Sequence, residues 1–314
     1  MAYREAKRKA VPLLVALTGT SGSGKTFSAL LMAAGMAGEG GKVGLLDSEA
    51  GRGEMYADDP DIIAAMPGNK YYYDEITPPF TPEKYGRAIK EAAQSGITVL
   101  VIDSTSHEYE GMGGLEEMAA NEKTGWMKPK MRHRREFMNV VTQSSMDLIF
   151  CLREREKVKV VKDAETGKDK HINIGMQPIQ EKNFMYEMTL SMRFDCERPG
   201  KPIITKCPKP LLPLFLGDQA IITKDAGAKV KLWAQKGEQI DLRLRELMAE
   251  SREAAMFGTE RLNAFLTKLE KSDSIMLAKL CTQAFKDEVR ALAVEADVVN
   301  ASEEMPERAK LFND

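Results

Sequence analysis

Residues 19–26 read Gly-Thr-Ser-Gly-Ser-Gly-Lys-Thr and match every fixed position of the phosphate-binding loop pattern G-x-x-x-x-G-K-S/T. The apolar run Leu13–Leu17 precedes the loop and predicts a strand. The segment Thr26–Gly38, rich in Ala, Leu and Met, predicts the helix that comes next. A strand before the loop and a helix after it are the context that this motif requires. The stretch therefore predicts an α/β fold that binds a nucleoside triphosphate.

The physical chemistry of the loop assigns roles to its residues. Its glycines let the backbone curl so that consecutive N–H groups point at a phosphate, and the positive end of the next helix adds to this attraction. Lys25 reaches the β- and γ-phosphates, and the Thr26 hydroxyl is placed for Mg²⁺. The predicted nucleotide-binding residues are Gly19, Thr20, Ser21, Gly22, Ser23, Gly24, Lys25 and Thr26.

The composition of the 314-residue chain is that of a globular protein, with 43% hydrophobic and 29% charged residues. A net charge of −2 gives no overall basic signature for nucleic acid, so any such surface has to be local. The four cysteines form no C-x-x-C pair, which argues against a zinc site or a disulfide framework. No stretch approaches the roughly 20 apolar residues of a membrane span, so we expect a cytoplasmic protein without membrane association.

Residues 11–217 alternate apolar runs with helical patterns, the order that βαβ units produce. Further strands are predicted at Val43–Leu46, Ile97–Ile102 and Asp147–Leu152, and further helices at Pro82–Ser95 and Lys130–Ser144. Continuous apolar strands suit a mainly parallel sheet that is covered on both faces. Beyond Lys157, two strand-like segments flank Glu165-Thr166-Gly167 and predict a hairpin or a mobile loop.

The C-terminal part of the chain has a different character. Thirteen of the fourteen prolines lie at or before Pro213, and the span from there to Pro306 is proline-free with apolar residues at helical spacing. We therefore predict three parts: a nucleotide-binding domain over residues 1–235, a small helical C-terminal domain over 236–300 and an exposed tail over 301–314.

Two predicted strands end in carboxylates. Ile97–Ile102 leads to Asp103, the Walker B arrangement, in which the aspartate holds Mg²⁺. Val43–Leu46 leads to Asp47 and Glu49. Hydrolysis needs a carboxylate that orients and deprotonates the attacking water, and a strand beside the phosphate-loop strand would deliver Glu49 or Asp47 there. The residues alone leave both open.

After the phosphate loop come L-L-D-S-E-A-G-R-G-E-M-Y-A at 45–57, V-L-V-I-D-S at 99–104 and L-I-F-C-L-R at 148–153. This order resembles the RecA family of recombinases, and it looks most like the smaller RecA-like ATPases of bacteriophages, several of which anneal single strands. The resemblance covers roughly residues 11–217 and leaves the helical C-terminal part outside.

The resemblance implies a RecA-like P-loop core that binds and hydrolyses ATP with Mg²⁺. It assigns the role of catalytic base to Glu49 and makes Lys25 a second catalytic residue. It assigns Mg²⁺ binding to Thr26 and Asp103. Where the family has a glutamine that senses the γ-phosphate, this sequence has Arg153, our third catalytic candidate. The resemblance further implies a homo-oligomer that acts on DNA, single-stranded by preference, in phage recombination or replication within a bacterial host. A replication or recombination protein is then the expected partner of the helical C-terminal domain.

Three basic segments are candidates for contact with a polynucleotide. The first, Lys128–Arg135, carries five Lys or Arg and no acidic residue. The second, Arg153–His171, falls where RecA proteins keep a mobile DNA-binding loop. The third contains Arg198, Lys201, Lys206 and Lys209. Contact with phosphates needs only such local charge. Aromatic residues are scarce within the first and third segments, so the sequence does not predict base stacking there.

Two other functions stay open at this stage. A P-loop kinase of a small molecule or a polynucleotide would use Arg153 and Arg155 in a lid, although no acceptor-binding pattern is visible. A nucleotide-gated adaptor would recruit replication proteins through its helical domain with little turnover. A GTPase is disfavoured because no N/T-K-x-D guanine-reading motif comes after Asp103.

Overall fold

The computed structural model describes residues 10–162, 167–217, 220–281 and 283–310. The chain forms two compact units. The first consists of Val11–Ala234, and the second contains the residues from Gln235 onward. The strands are β1 (Leu14–Gly19), β2 (Val43–Asp47), β3 (Tyr72–Glu75), β4 (Val99–Asp103), β5 (Asp147–Lys162), β6 (Asp169–Pro178), β7 (Leu190–Phe194) and β8 (Pro202–Lys206).

The α-helices are α1 (Lys25–Ala37), α2 (Pro60–Ala65), α3 (Pro82–Gln94), α4 (Ser106–Glu110), α5 (Leu115–Asn121), α6 (Met127–Arg132), α7 (Asn139–Thr142), α8 (Phe184–Glu187), α9 (Lys224–Ala255), α10 (Thr259–Lys268), α11 (Lys271–Leu280) and α12 (Gln283–Lys310). Short 3₁₀ helices lie at Arg52–Tyr56, Pro67–Asn69 and Lys209–Leu214, and a π-helical turn lies at His133–Met138. None of the described helices combines the length and apolar character that a bilayer crossing needs.

Within the described residues, the eight strands form one sheet in the order β3-β2-β4-β5-β1-β7-β8, with β6 paired to β5 outside this path. The pairs from β3 through to β7 are parallel. The pairs β5–β6 and β7–β8 are antiparallel. The predicted fold class, an α/β P-loop core with a mainly parallel sheet followed by a helical C-terminal region, is confirmed.

The apolar strands are continuous because both faces of the sheet are buried. Val15 and Leu17 of β1 pack with α1 in one core cluster, whereas Ala16 lies in a second cluster on the other face. The same alternation occurs in β5, where Ile149 belongs to the first cluster and Phe150 to the second. A strand that is covered on both faces has no polar side, which is why the sequence shows runs rather than alternation.

Strand β5 extends well beyond the predicted end at Leu152. Its first six residues are buried in the sheet, and the residues from Arg155 onward are largely exposed and pair with β6. The polar sequence hid this extension because the partner strand, and not burial, maintains it. The two strands of the predicted hairpin are confirmed, while Glu165 and Thr166 at its turn lie outside the described residues.

The helix predicted at Lys130–Ser144 begins at Met127 and is interrupted by the π-helical turn His133–Met138. The wider turn leaves His133 and Phe137 buried while neighbouring charged residues are exposed. Such π turns accommodate one extra residue within a helix. We call α6, this turn and α7 together the basic helix.

The C-terminal unit is helical, as predicted, with a core that includes Ala255, Leu262, Phe285 and Val289. Helix α9 begins at Lys224, inside the predicted first domain, and α12 runs past residue 300 without a break. The predicted boundary at 300 therefore falls within a helix, because the spacing of the sequence does not mark where this helix ends. The side chains of residues 301–310 and all of 311–314 lie outside the described part, so the exposed tail stays a prediction.

A buried ion pair joins the beginning of α9 to the sheet. Asp147 opens β5, and its two oxygens accept hydrogen bonds from the Leu13 N–H, at 2.9 Å, and from Lys231 Nζ, at 2.7 Å. The backbones of α1 and α9 also approach closely, since a Cβ on Gly35 would lie 1.9 Å from the Lys224 carbonyl oxygen. Only glycine permits that contact.

We predict that Asp147→Asn lowers the free energy of unfolding by about 2 kcal/mol, because it leaves the Lys231 ammonium without its opposite charge. The loss is limited because the Asn oxygen still accepts a hydrogen bond from the Leu13 N–H. Urea denaturation measures the change. The matched control is Asp225→Asn, which breaks the exposed 2.6 Å pair between Lys229 and Asp225 in the same helix. The control should cost under about 0.5 kcal/mol. Equal losses in the two variants would contradict this role for the buried pair.

Candidate nucleotide-binding site

Parallel strands bring the predicted site residues to one edge of the sheet. Asp47 at the end of β2 lies opposite Asp103 at the end of β4. Gly19 at the end of β1 lies opposite Arg153 of β5. Ligands of open α/β sheets bind outside the carboxyl ends of the strands. Residues far apart in the sequence therefore surround one cavity of about 360 Å³, which is lined by Lys25, Thr26, Glu49, Asp103 and Arg153 among others.

The phosphate loop has the conformation that its motif predicts. Gly24 adopts a φ of 85°, and a Cβ at that position would lie 2.9 Å from the Gly200 nitrogen. Gly200, in the loop between β7 and β8, donates a hydrogen bond to the Ser23 carbonyl at 3.0 Å. The Lys25 ammonium is nearly buried and donates to the carbonyls of Gly19, at 3.0 Å, and Thr20, at 2.7 Å. A neighbouring loop therefore supports the phosphate loop, and the carbonyl groups of the phosphate loop hold the Lys25 side chain in place.

Thr26 and Asp103 lie together beside the phosphate loop. The Thr26 hydroxyl donates to Asp103 Oδ2 at 2.5 Å. Burial raises the pKa of Asp103 to about 6, against the opposing effect of the Thr26 hydrogen bond. Hydroxyl and carboxylate oxygens are the donors that Mg²⁺ prefers, so this pair fits the predicted metal. A bound cation would also offset the desolvation of the Asp103 carboxylate.

Glu49 and Arg153 make a two-point contact at the far side of the cavity. Arg153 Nε donates to Glu49 Oε1 at 2.9 Å, and Arg153 Nη2 donates to Glu49 Oε2. Burial acts to lower the pKa of Arg153, but the hydrogen bond and charge of Glu49 outweigh it, and the pKa is raised. Glu154, the sequence neighbour of Arg153, is not its partner. Glu154 accepts from Thr18 instead, at 2.7 Å.

The second strand-end carboxylate, Asp47, is engaged within its own loop. One oxygen accepts from the Glu49 N–H at 2.5 Å, and the other accepts from the Gly53 N–H at 2.8 Å and the Tyr73 hydroxyl at 3.2 Å. Asp47 is buried and is absent from the cavity lining. Its carboxylate shapes the loop that presents Glu49. Of the two candidates for the base, the geometry therefore favours Glu49.

Several residues of the site were missed by the sequence reasoning. His107 Nδ1 lies 2.8 Å from the Ser48 hydroxyl, which also donates to the Ser104 carbonyl, and these contacts join the ends of β2 and β4. Burial, and then the charge of Arg153, lower the pKa of His107. Tyr56 lines the cavity, and burial, followed by the charge of Asp103, raises the pKa of its hydroxyl. Only the crossing of loops from separate strands brings these residues together, so no local motif marks them.

A buried polar cluster lies behind the site, and we call Glu108, His133 and Gln180 the Glu108 cluster. Glu108 Oε1 lies 2.9 Å from His133 Nδ1, and its Oε2 accepts from Gln180 Nε2 at 3.2 Å. Gln180 also donates to the Thr105 carbonyl at 3.0 Å. The cluster therefore joins the segment after β4, the basic helix and the segment after β6.

The first basic segment is paired with acidic residues. Lys128 contacts Glu122 at 3.0 Å, Lys130 contacts Glu181 at 3.5 Å, Arg132 contacts Glu83 at 2.7 Å and Arg135 contacts Glu136 at 2.6 Å. All four cations are substantially exposed, so these pairs contribute little and can exchange for phosphates. In the second segment, Lys157, Lys159 and Lys162 point away from the core on the hairpin. In the third, Lys206 Nζ donates to the Tyr186 carbonyl at 2.8 Å.

Comparison with known proteins identifies a family that contains this site. The profile of a family described as the AAA domain matches residues 12–209, which include the phosphate loop, the strand ends and the hairpin. Comparison with curated protein sequences gives no match. Among solved structures, the crystal structure of the RadB recombinase is similar to this chain with 18% sequence identity and a TM-score of 0.34, and the match covers 60% of this chain and 76% of that one.

We predict that Lys25→Ala abolishes binding of ATP, because it removes the charge that neutralises the β- and γ-phosphate oxygens. Calorimetric titration with Mg²⁺ and ATP measures the affinity. The control is Lys42→Ala, because Lys42 is exposed directly before β2 and does not line the cavity. Its ammonium lies 5.4 Å from the centroid of the Tyr72 ring. If Lys25→Ala binds ATP with wild-type affinity, the assignment of residues 19–26 as a phosphate-binding loop is wrong.

Proposed function

The chain belongs to the AAA domain family, and from that premise we propose that it is a Mg²⁺-dependent, RecA-like ATPase that acts on single-stranded DNA in phage recombination or replication. The observation that carries the proposal is the meeting of Lys25, Glu49, Asp103 and Arg153 around one cavity. Family membership supports nucleotide binding and hydrolysis. The DNA substrate and the phage role rest on the resemblance of the motifs to RecA-type proteins.

The proposal gives one task to each of the predicted site residues of the cavity. Lys25 neutralises the β- and γ-phosphate oxygens, and the N–H groups of the phosphate loop hold them in place. Glu49 orients the attacking water and accepts its proton. Thr26 and Asp103 would hold Mg²⁺, which would supply positive charge to the phosphate oxygens.

Arg153 stabilises the charge that develops on the transferred phosphoryl group. Its guanidinium presents two N–H groups to the Glu49 carboxylate, and the same planar fork matches a pair of phosphate oxygens. Exchange of Glu49 for the γ-phosphate would leave the Glu49 carboxylate free to act as the base. One movement of Arg153 would then place its guanidinium on the γ-phosphate and free Glu49 to act as the base.

Exposed basic elements of the same unit support DNA as the second ligand. The hairpin begins directly after Arg153, because Glu154 is the first residue of β5 that pairs with β6. The basic helix is joined to the segment after the hairpin by the Glu108 cluster and by the pair of Lys130 with Glu181. Phosphate contacts need exposed cations and no particular base sequence. Both elements meet that requirement.

Three further parts of the proposal come from the resemblance. A homo-oligomer is proposed from the resemblance alone, with Arg52 and Met55, exposed at the rim of the cavity, as the residues that would face a second copy. A replication or recombination protein is proposed as partner of the helical C-terminal unit. The described residues of that unit border an apolar cavity of about 350 Å³ that includes Leu262, Leu277 and Phe285. The proposed location is the cytoplasm of a bacterial host.

Turnover of ATP with and without single-stranded DNA tests the function directly. We expect the wild-type protein to hydrolyse ATP faster when DNA is present, and Glu49→Gln to bind Mg²⁺ and ATP normally while losing most of its turnover. Asp47→Asn is the matched variant, because it changes a carboxylate of the same loop that lies outside the cavity. It should retain more turnover than Glu49→Gln, and the reverse order would assign the base to Asp47. Turnover only with a phosphate acceptor would indicate a kinase, and nucleotide binding without turnover would indicate an adaptor.

We predict that Arg153→Ala leaves ATP affinity near normal and lowers turnover by roughly 10³-fold, the scale of arginine-finger effects. Arg153→Lys should restore only part of the loss, since an ammonium lacks the two-point fork. Single-turnover kinetics separates binding from chemistry. Turnover that stays unchanged or rises in Arg153→Ala would mean that the arginine only restrains Glu49.

A further inference from the structure

A stacked pair of aromatic rings lies at the start of the basic helix. Trp126 directly precedes α6 and is 40% exposed. Its ring centroid lies 6.0 Å from that of Tyr109, with 20° between the ring planes. Tyr109 belongs to α4, so two separate segments build the pair. No local pattern indicated the pair, because the basic segment Lys128–Arg135 itself contains no aromatic residue.

Three cations lie near this aromatic pair, and each of them is paired with an acidic residue. Lys130 Nζ lies 5.8 Å from the centroid of the Trp126 ring, and Lys128 is exposed on the same helix. On the other side, Arg155 at the root of the hairpin contacts Glu110 and Glu116 at 3.4 and 3.2 Å. Glu110 directly follows Tyr109 in α4, so its contact with Arg155 brings the hairpin root close to Tyr109. The pair therefore lies between the two basic elements.

The arrangement suits a flat apolar ligand with negative charge on either side. Tyr109 backs the Trp126 ring and limits its rotation, so little side-chain freedom remains to be lost when a ligand binds. An aromatic ring flanked by cations is the combination that proteins use to bind single-stranded nucleic acid. Bases of a duplex are already stacked on each other, whereas bases of a single strand are free to stack on a side chain.

We propose that Trp126 is a stacking platform for a base of a single-stranded polynucleotide, with Lys128, Lys130 and Arg155 placed for the flanking phosphates. This inference rests on the proposed function and adds to it the way in which single strands are distinguished from duplexes. Stacking reads no base edge, so the platform accepts any base sequence.

The intrinsic fluorescence of the protein gives a direct test. The chain contains two tryptophans, Trp126 and Trp233, so Trp233→Phe leaves Trp126 as the only indole. In that variant we expect an oligothymidine to quench the Trp126 emission. An abasic oligomer of the same length and charge should bind through its phosphates without quenching, and a duplex should do the same.

Substitution at the platform separates stacking from charge. Trp126→Ala should weaken oligothymidine binding about tenfold, a loss within the range measured for stacking aromatics, and should leave abasic-oligomer binding and ATP binding unchanged. Trp126→Phe should keep most of the affinity. The matched control is Tyr72→Ala, because Tyr72 is 41% exposed and also has lysines over its ring, but lies on the edge strand β3.

The outcomes separate this inference from the function on which it rests. If the wild-type protein binds oligothymidine in fluorescence anisotropy but Trp126 emission does not change and Trp126→Ala binds normally, the stacking platform is wrong and DNA binding stands. Equal losses for oligothymidine and the abasic oligomer would also overturn it. If the wild-type protein binds neither oligomer at low salt, the proposed DNA function fails, and the platform fails with it.

Discussion

The two-point contact between Glu49 and Arg153 connects strands that are not neighbours, since β4 lies between β2 and β5. Each side of the contact is supported by a separate set of hydrogen bonds. The Arg153 N–H donates to the Ser106 hydroxyl at 2.9 Å, and Asp47 and Ser48 hold the loop that presents Glu49. Two opposite charges that are both partly shielded from water fix each other's geometry. The base and the cation of the site are therefore positioned as one unit.

Lys25 and Arg153 each have a partner within the chain. Lys25 donates to loop carbonyls, and Arg153 donates to a carboxylate. In the proposed function, the γ-phosphate of ATP would compete for Lys25 and Arg153, and its capture of Arg153 would release Glu49 from this contact. The same ionic contact thus keeps the base occupied and presents the fork that a phosphate requires. The proposal thus links ATP binding to the release of Glu49 from Arg153, while Arg52 lies 3.7 Å from the same carboxylate.

The sequence predicted what depends on short-range pattern, and it failed where the deciding contact comes from another strand. The phosphate loop and the apolar strands were correct because glycine placement and burial on both faces are visible locally. The choice between Asp47 and Glu49 was not visible, since it depends on the Gly53 N–H and on Tyr73. The contact of Arg153 with Glu49 was not visible for the same reason, because the sheet order and not the local sequence brings the two residues together.

Charge counting also provided an incomplete account of the basic segments, since cations of the first segment mostly face acidic residues of neighbouring elements. What distinguishes these segments is their shared support. Glu108 is fully buried and hydrogen-bonds with His133 of the basic helix and with Gln180 beyond the hairpin. Glu108 lies two residues after Ser106, whose hydroxyl accepts a hydrogen bond from the Arg153 N–H. A buried carboxylate that loses its partners is costly, so this cluster resists separation of the three segments. The elements proposed to contact DNA and the arginine proposed to contact the γ-phosphate therefore rest on one buried group.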